Sequence, residues 1–390
     1  MKGLEGLVDE LQHGRLSRRQ FMERALALGL SASVIGTVLA ACGGTSSSTG
    51  GGATISASPA ALDTTVPDKI YFFNWADYID PSLKKKFKQE TGITVVESFF
   101  DSNDDLFGKL KAGQGGYDLI CPGGYLVSIF RKSDMLQSLH MEYIPSFSQI
   151  LTALQKPVFD DPANQSGLKY SVPYMYGTAG IGVRTDLYPQ EVTSWDTMWD
   201  PANKGKITML NAERTAIGQT LKYLGYSLNT TDPKQVDEAT AKLIEQKPLV
   251  LKYEASGLPR TMASGVPLVN CYDGDAAVAK RDIGPKKLDY VLPSEGAYFW
   301  VDNLAIPKSA ASPYGAHLFI EFLTKAENSA QNSTWIGYQT PNDEAFALIK
   351  DPVVRSLRPS DEAWANGEIA MDLGEFETYY VQAWAKVKSA

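Results

Sequence analysis

Eight residues at the ends of short apolar runs could do chemistry in this chain: Trp75, Asp77, Tyr78, Tyr125, Tyr272, Asp275, Trp300 and Asp302. They are of two kinds, aromatic rings and carboxylates, with no basic residue among them. A ring face attracts an ammonium group and covers methylenes, each such contact contributing roughly 0.5–2 kcal/mol. A carboxylate accepts charge-assisted hydrogen bonds from the same ammonium. A linear organic cation, with ammonium groups separated by an alkyl chain, uses both kinds in alternation. Taken singly, each residue has a plainer reading, since aromatics near strand ends mostly pack in cores and an aspartate after a strand usually caps or turns. The convergence of all eight favours a binding site.

The elements that must position them read as strands alternating with helices. Residues 69–74 form a short apolar-aromatic run of strand length. Asp80-Pro81 then opens a helix that carries Leu83 and Phe87 at helical spacing and stops near Gly92. Residues 93–100 read as a strand, 106–112 as a helix and 117–121 as a third strand. Such alternation implies right-handed crossovers and a mainly parallel sheet, with ligands bound beyond the carboxyl ends of the strands. Those ends carry Trp75-Ala76-Asp77-Tyr78 and Gly123-Gly124-Tyr125. A second set of elements follows: a run at Gly180-Ile181-Gly182-Val183, a helix over 194–199, a strand over 204–209 and helices over 215–224 and 232–245. A strand over 268–271 ends in Tyr272-Asp273-Gly274-Asp275, and a strand over 298–306 puts Trp300 and Asp302 on one face by its two-residue period. A helix over 313–323 and two C-terminal helices close the chain.

Composition bounds the alternatives. A chain of 390 residues with 44% hydrophobic and 21% charged residues is expected to form two globular units. The 37 lysines and arginines against 45 aspartates and glutamates give a net charge of −8, which argues against a nucleic-acid binder. Three cysteines build no disulfide-dense scaffold, and three histidines leave little for a His-rich metal site; no metal or cofactor is expected. Cys121 and Cys271 each follow an apolar run and are expected to be free and buried.

The N-terminus reads as an address. Ser17-Arg18-Arg19-Gln20-Phe21, an uncharged stretch over 25–41 and Leu39-Ala40-Ala41-Cys42 follow one another. The start resembles a twin-arginine export signal and the end a bacterial lipobox, whose cysteine is lipidated and becomes the new N-terminus. Residues 1–41 are therefore expected to be a removed signal, and Cys42 the lipidation site. The mature protein is then extracytoplasmic, in the periplasm or on the outer face of the cytoplasmic membrane, held by acyl chains. The Gly/Ser-rich segment over 42–65 is expected to be a flexible tether.

From about residue 68 to 386 the sequence resembles the bacterial spermidine/putrescine-binding proteins, receptors of polyamine ABC importers. The resemblance is carried by Phe73-Asn-Trp-Ala-Asp-Tyr-Ile79, Tyr117-Asp-Leu-Ile-Cys-Pro122, Val172-Pro-Tyr-Met-Tyr-Gly177 and Ser194-Trp-Asp-Thr-Met-Trp199. It continues in Leu224-Gly-Tyr-Ser-Leu-Asn-Thr-Thr-Asp-Pro233, Glu295-Gly-Ala-Tyr-Phe-Trp-Val-Asp-Asn-Leu-Ala-Ile-Pro307 and Ile336-Gly-Tyr-Gln-Thr-Pro-Asn342. It implies an α/β, two-lobe, type II-like periplasmic-binding-protein fold. Mainly parallel sheets with helices on both faces are joined by a hinge of crossing strands. Residues 66–176 plus 302–346 are expected to form lobe 1, and 177–301 plus 347–390 lobe 2. The ligand, a polyamine, sits between them, and a membrane permease reads the closed form.

By this resemblance Trp75, Asp77 and Tyr78 match a first ligand-contacting motif, and Tyr125 an aromatic contact. Gly123 stands where relatives often have a serine. Tyr272 takes the place of a tryptophan that stacks on the alkyl chain. Asp275 matches an acid of putrescine-type members, and Trp300 and Asp302 match the central aromatic and the main amine-binding acid. Thr215 stands where relatives carry a glutamate for a terminal amine. Glu213 either substitutes for that glutamate or points away, and Arg214 is unfavourable in a cationic cleft. Ala370 stands where spermidine-type relatives have a glutamine.

Rival classes have less in their favour. His140 and His317 are the histidines of the mature chain, and the second has the spacing of a packing position in a helix. No phosphate loop, Cys-x-x-Cys or nucleophile elbow marks an enzyme. Tyr379-Tyr380 resembles the tyrosine pair of ferric-ion receptors, but a structural role fits it better. A sugar receptor of the same fold keeps the rings without needing Asp77, Asp275 and Asp302, and a tethered scaffold needs neither.

Overall fold

The computed structural model describes residues 61–390 except 114, 158 and 161–166; the expected signal, Cys42 and most of the tether lie outside the described residues. The first parallel unit is β1 (Lys69–Trp75), α1 (Pro81–Thr91), β2 (Thr94–Phe100), α2 (Asn103–Lys111), β3 (Leu119–Ile120) and α3 (Gly124–Lys132). The start and stop of α1 follow from its ends: the Asp80 carboxylate accepts the Ser82 N–H at 2.9 Å, Pro81 fills the first turn, and Gly92 closes the helix at φ 82°. Strand β3 is shorter than the expected 117–121. Asp118 turns its carboxylate onto the N–H groups of Tyr71, at 2.9 Å, and Ser312, at 2.7 Å, so a side chain does part of the ladder's work.

After α4 (Thr152–Gln155) comes β4 (Ser171–Val183), a 13-residue strand buried throughout. The second parallel unit is β5 (Ile207–Leu210), α5 (Glu213–Tyr223), α6 (Pro233–Gln246), β6 (Val250–Glu254), α7 (Leu258–Ala263), β7 (Leu268–Tyr272) and α8 (Asp273–Ile283). Then follow β8 (Asp289–Val291), β9 (Tyr298–Ala305), α9 (Pro313–Thr324), α10 (Ala326–Ile336), α11 (Asp343–Leu348), α12 (Pro352–Ser356), α13 (Asp361–Asn366), β10 (Glu368–Ile369) and α14 (Glu377–Ser389).

Three further expectations need correction. The helix expected over 194–199 is a 3-10 turn, Trp195–Met198: Ser194 caps Asp196, and Glu295 takes both the Ser194 hydroxyl and the Trp195 N–H. The helix expected from 215 begins at Glu213, which puts Glu213 and Thr215 in its first turn. Beyond α9 the chain forms five helices rather than two, because Asn342, Asp351 and Ser360 each cap a new short one.

Strands run in the order β2-β1-β3-β9-β4-β7-β5-β6. Strand β1 is parallel to β2 and β3, and β5 is parallel to β6 and β7. Antiparallel β4 and β9 join these two triplets. The start of β4 pairs with the end of β9, Ser171 opposite Ala305, and Ala305 also faces Ile120 of β3. The end of β4 pairs with β7, Val183 opposite Leu268. Strand β9, on β3, and strand β4, on β7, thus bridge the two triplets through their own long pairing, which makes the two-lobe, hinged α/β fold.

Each side has its own core. Ile70, Phe72, Leu83 and Phe87 pack with Phe319 and Leu323 of α9; Trp195, Ile217, Leu221 and Leu243 pack with Tyr380 and Trp384 of α14. Each such side chain contributes roughly 1.5–3 kcal/mol on burial.

Candidate functional site

The site forms where the crossing strands meet the strand ends. Asp302 and Trp300 share one face of β9. Tyr78, just beyond β1, donates its hydroxyl to Asp302 Oδ2 at 2.7 Å. Trp300 packs against the core that holds Tyr78 and also against the core that holds Tyr272. Tyr272 stands edge-on to Trp300 with ring centroids 6.4 Å apart, and its hydroxyl shares a 3.2 Å hydrogen bond with Thr215. Asp275, in the first turn of α8, accepts the Tyr272 N–H at 3.2 Å, so this expected ligand acid is also a helix cap.

The electrostatics are those of buried acids. Burial pushes Asp302 up to about 7, offset only in part by the Tyr78 hydroxyl. Burial likewise pushes Asp275 up to about 6. Glu213 is half-buried and is raised first by burial and then by Glu377 and Asp104. Arg214 eases Glu213 in part but is not among the groups acting on Asp302 or Asp275. Its guanidinium bonds Glu377 at 2.8 Å and lies over the Tyr380 ring at 4.7 Å.

The remaining expected residues lie around this centre. Trp75 is half-buried against Phe100, with centroids 4.4 Å apart. Asp77 is exposed on the turn between Trp75 and Tyr78, at φ 55°. Tyr125 is half-buried, and burial followed by Asp104 raises its phenol. The N–H of Gly123 donates to Asn103 Oδ1 at 3.0 Å, and a Cβ there would stand 2.9 Å from Asn103 Nδ2. A side chain at 123 would crowd Asn103, which gives the glycine a physical reason.

Two residues of the site escaped the sequence reading. Tyr338 stands edge-on to Trp300 at 4.7 Å and to Tyr78 at 5.9 Å, and it lies close over Gly274. It follows a helix end at Gly337 rather than a strand, so the strand-end criterion passed over it. Asp273 is fully buried beside Trp300, and adjacency to Asp275 was the available signal.

Among the described residues, no group of three or more His, Cys, Asp or Glu could hold a metal ion. Tyr380 is buried with its hydroxyl on the Leu228 and Thr230 carbonyls, and Tyr379 stacks on Phe376; the pair is built into the fold. His317 is a packing position, its Nδ1 bonded to the Pro313 carbonyl. Cys121 and Cys271 are free, buried thiols.

The sequence profile of bacterial extracellular solute-binding proteins matches residues 82–366. The chain belongs to that family. This solute-binding protein is 36% identical, over 326 residues, to the spermidine/putrescine-binding periplasmic protein of Escherichia coli, covering 82% of this chain and 91% of that one. It is 30% identical to the putrescine/cadaverine-binding protein of Pseudomonas aeruginosa, covering 84% and 96%. Among solved structures, the spermidine/putrescine ABC transporter substrate-binding protein of Streptococcus pneumoniae superposes with a TM-score of 0.74 at 31% identity, over 83% of this chain and 99% of that one. The TpPotD lipoprotein of Treponema pallidum does so with a TM-score of 0.74 at 27% identity, over 82% and 99%. The family binds solutes outside the cytoplasm rather than transforming them, which gives this solute-binding protein an extracytoplasmic place and a binding role.

Proposed function

We propose that this protein is the extracytoplasmic receptor of an ABC importer, binding a polyamine (spermidine or putrescine) between its lobes and delivering it to the permease. The observation that carries this reading is Asp302. It is a carboxyl pushed up to about 7 by burial and bonded by Tyr78, whose ring meets Tyr338, which in turn meets Trp300, and no basic side chain pairs with it among the described residues. A ligand ammonium supplies that charge, and the rings cover its alkyl chain. The spermidine/putrescine-binding and putrescine/cadaverine-binding relatives support the same class of ligand. Trp75, Asp77, Tyr125, Tyr272 and Asp275 complete the contact set, with Glu213, Thr215 and Gly123 at its margin.

In the same reading the lobes divide at 176/177 and 301/302, inside the crossing strands, with 302–346 completing lobe 1 and 347–390 lobe 2. Residues 1–41 are a twin-arginine lipoprotein signal, Cys42 carries the lipid, and 42–65 is the tether. Cys42→Ser should then release the protein from the membrane fraction, and a variant still membrane-bound would remove the anchor.

The deciding experiment is a melting screen of the protein with putrescine, spermidine, agmatine, amino acids and sugars. A ligand at 100 times its Kd stabilises by about 2.7 kcal/mol. Diamines or triamines should lead; a lead by sugars or anions would overturn the reading.

A further inference from the structure

Asp273 has no part in the contact set above. It opens α8 between Tyr272 and Asp275 and is completely buried. Neither carboxyl oxygen has a hydrogen-bond partner among the described residues. Burial holds the acid well above the carboxylate range, the N–H groups of Thr178 and Gly274 nearby easing this only in part without reaching hydrogen-bond geometry.

Trp300 presents the complementary group. Its indole Nε1–H is buried and likewise without a partner among the described residues. Both groups close on the same glycine. Trp300 faces Gly177 across the β4–β9 pairing. A Cβ at Gly177 would stand 2.4 Å from Asp273 Oδ1 and 2.4 Å from Trp300 Cζ2. It would stand 2.7 Å from Cε2, the ring carbon bonded to Nε1. The bare glycine admits the carboxyl and the N–H edge of the indole into one small space. A buried donor and a buried acceptor are each costly alone, and the cost is recovered when they pair.

The ring has need of such a hold. Its aromatic neighbours, Tyr338 at 82° and Tyr272 at 86°, are both edge contacts, and neither offers its indole N–H a partner. A ring that must lie flat along an alkyl chain needs its plane set.

We propose that Asp273 is a positioning residue that holds the indole N–H of Trp300 through one buried water, and so sets the plane of the ring that meets the ligand. This rests on the proposed ligand role of Trp300, but the hydrogen bond itself can be tested without ligand. Seven tryptophans give seven indole N–H signals by NMR, and Trp300→Phe identifies the one in question. In the empty protein that proton should exchange slowly with solvent. Its shift should move in Asp273→Leu and stay near wild type in Asp273→Asn, which keeps an acceptor oxygen. Titration with putrescine and spermidine supplies the second readout. Asp273→Leu should weaken binding by about tenfold, the scale of one buried hydrogen bond, and Asp273→Asn by far less. In a Trp300→Phe background, Asp273→Leu should add almost nothing, as coupled residues require.

Three results would overturn the inference. One is an indole proton of Trp300 that, in the wild type, exchanges as fast as that of exposed Trp335; this needs no variant to fold. Another is additivity of the two substitutions. The third is equal loss in the Asn and Leu variants, which would mean that Asp273 charge meets the ligand itself. If the wild type bound no amine while the indole signal responded as described, the polyamine reading would fail and the hydrogen bond would stand.

Discussion

Asp302 is where the energetics of the site concentrate. A carboxylate moved out of water is costly unless it is paired, and removing one partner of a buried ion pair costs about 3–5 kcal/mol. Asp302→Asn should therefore raise the Kd for putrescine or spermidine by roughly 100-fold or more, and should erase most of the ligand-induced rise in Tm. An unchanged titration in that variant would take Asp302 out of the site. The acid's shift also sets a pH dependence. Its pKa rises from the ordinary 3.8 to about 7 in the folded protein, and that of Asp275 from 3.8 to about 6. Between these values the folded protein holds protons that the unfolded chain has lost. Their contribution to the stability of the empty protein is thus fully present below the unfolded pKa and is lost as pH rises through 6 and 7. A cationic ligand selects the ionised acids, so affinity should climb over the same interval and level off above it. Calorimetry in buffers of different ionisation heat should show protons released on binding below pH 7; no release at any pH would contradict the assignment.

Among the elements, β4 and α8 do the positioning. Gly177 brings β4 close enough to β9 and α8 for Trp300 and Asp273 to fold over it. Gly177→Ala would place a methyl inside both groups, and overpacking of this kind costs about 1–3 kcal/mol. A lower Tm and weaker amine binding should appear together. Gly108 is the useful contrast: it lies inside α2, and a Cβ there meets nothing within 4 Å. Gly108→Ala should stabilise by about 0.4–1 kcal/mol through the unfolded chain, with binding untouched. A Tm change of the same sign in both variants would mean that local space at Gly177 does not matter. At α8, capping and the proposed ligand contact fall on one residue. Asp275 closes the first turn on the Tyr272 N–H while its carboxyl remains shifted by burial.

At the scale of the molecule, the two triplets hang on two antiparallel strands, so their relative motion is carried by few backbone segments. Lys132 of α3 reaches Asp372, in the segment before α14, at 2.6 Å. This tie is exposed at the lysine, and exposed ion pairs contribute about 0–1 kcal/mol. Arg358 also pairs with Asp343 at 2.6 Å, and Arg281 donates to the Thr334 carbonyl at 2.8 Å, so the proposed lobes share several ties and a ligand at the site adds to them. Small-angle scattering should show the radius of gyration falling when spermidine or putrescine is added and staying constant for Asp302→Asn. A radius indifferent to ligand in the wild type would argue against hinge closure as the signal to a permease.

Local chemistry written into the sequence determined much of this protein. The Asp80-Pro81 start and Gly92 stop of α1, the strand at 69–75 and the pairing of Trp300 with Asp302 on one face are short-range facts of capping and periodicity. The types of the proposed site residues, rings and acids, were legible for the same reason, and they pointed to a cation. Tertiary structure alone decided which side chains share a space. Tyr338 reaches Trp300 from a helix end, Arg214 turns away to Glu377, and Asp273 meets Trp300 over a glycine far away in sequence. Proximity across crossing strands has no periodicity along the chain, and so it became visible only when β4 and β9 were laid side by side.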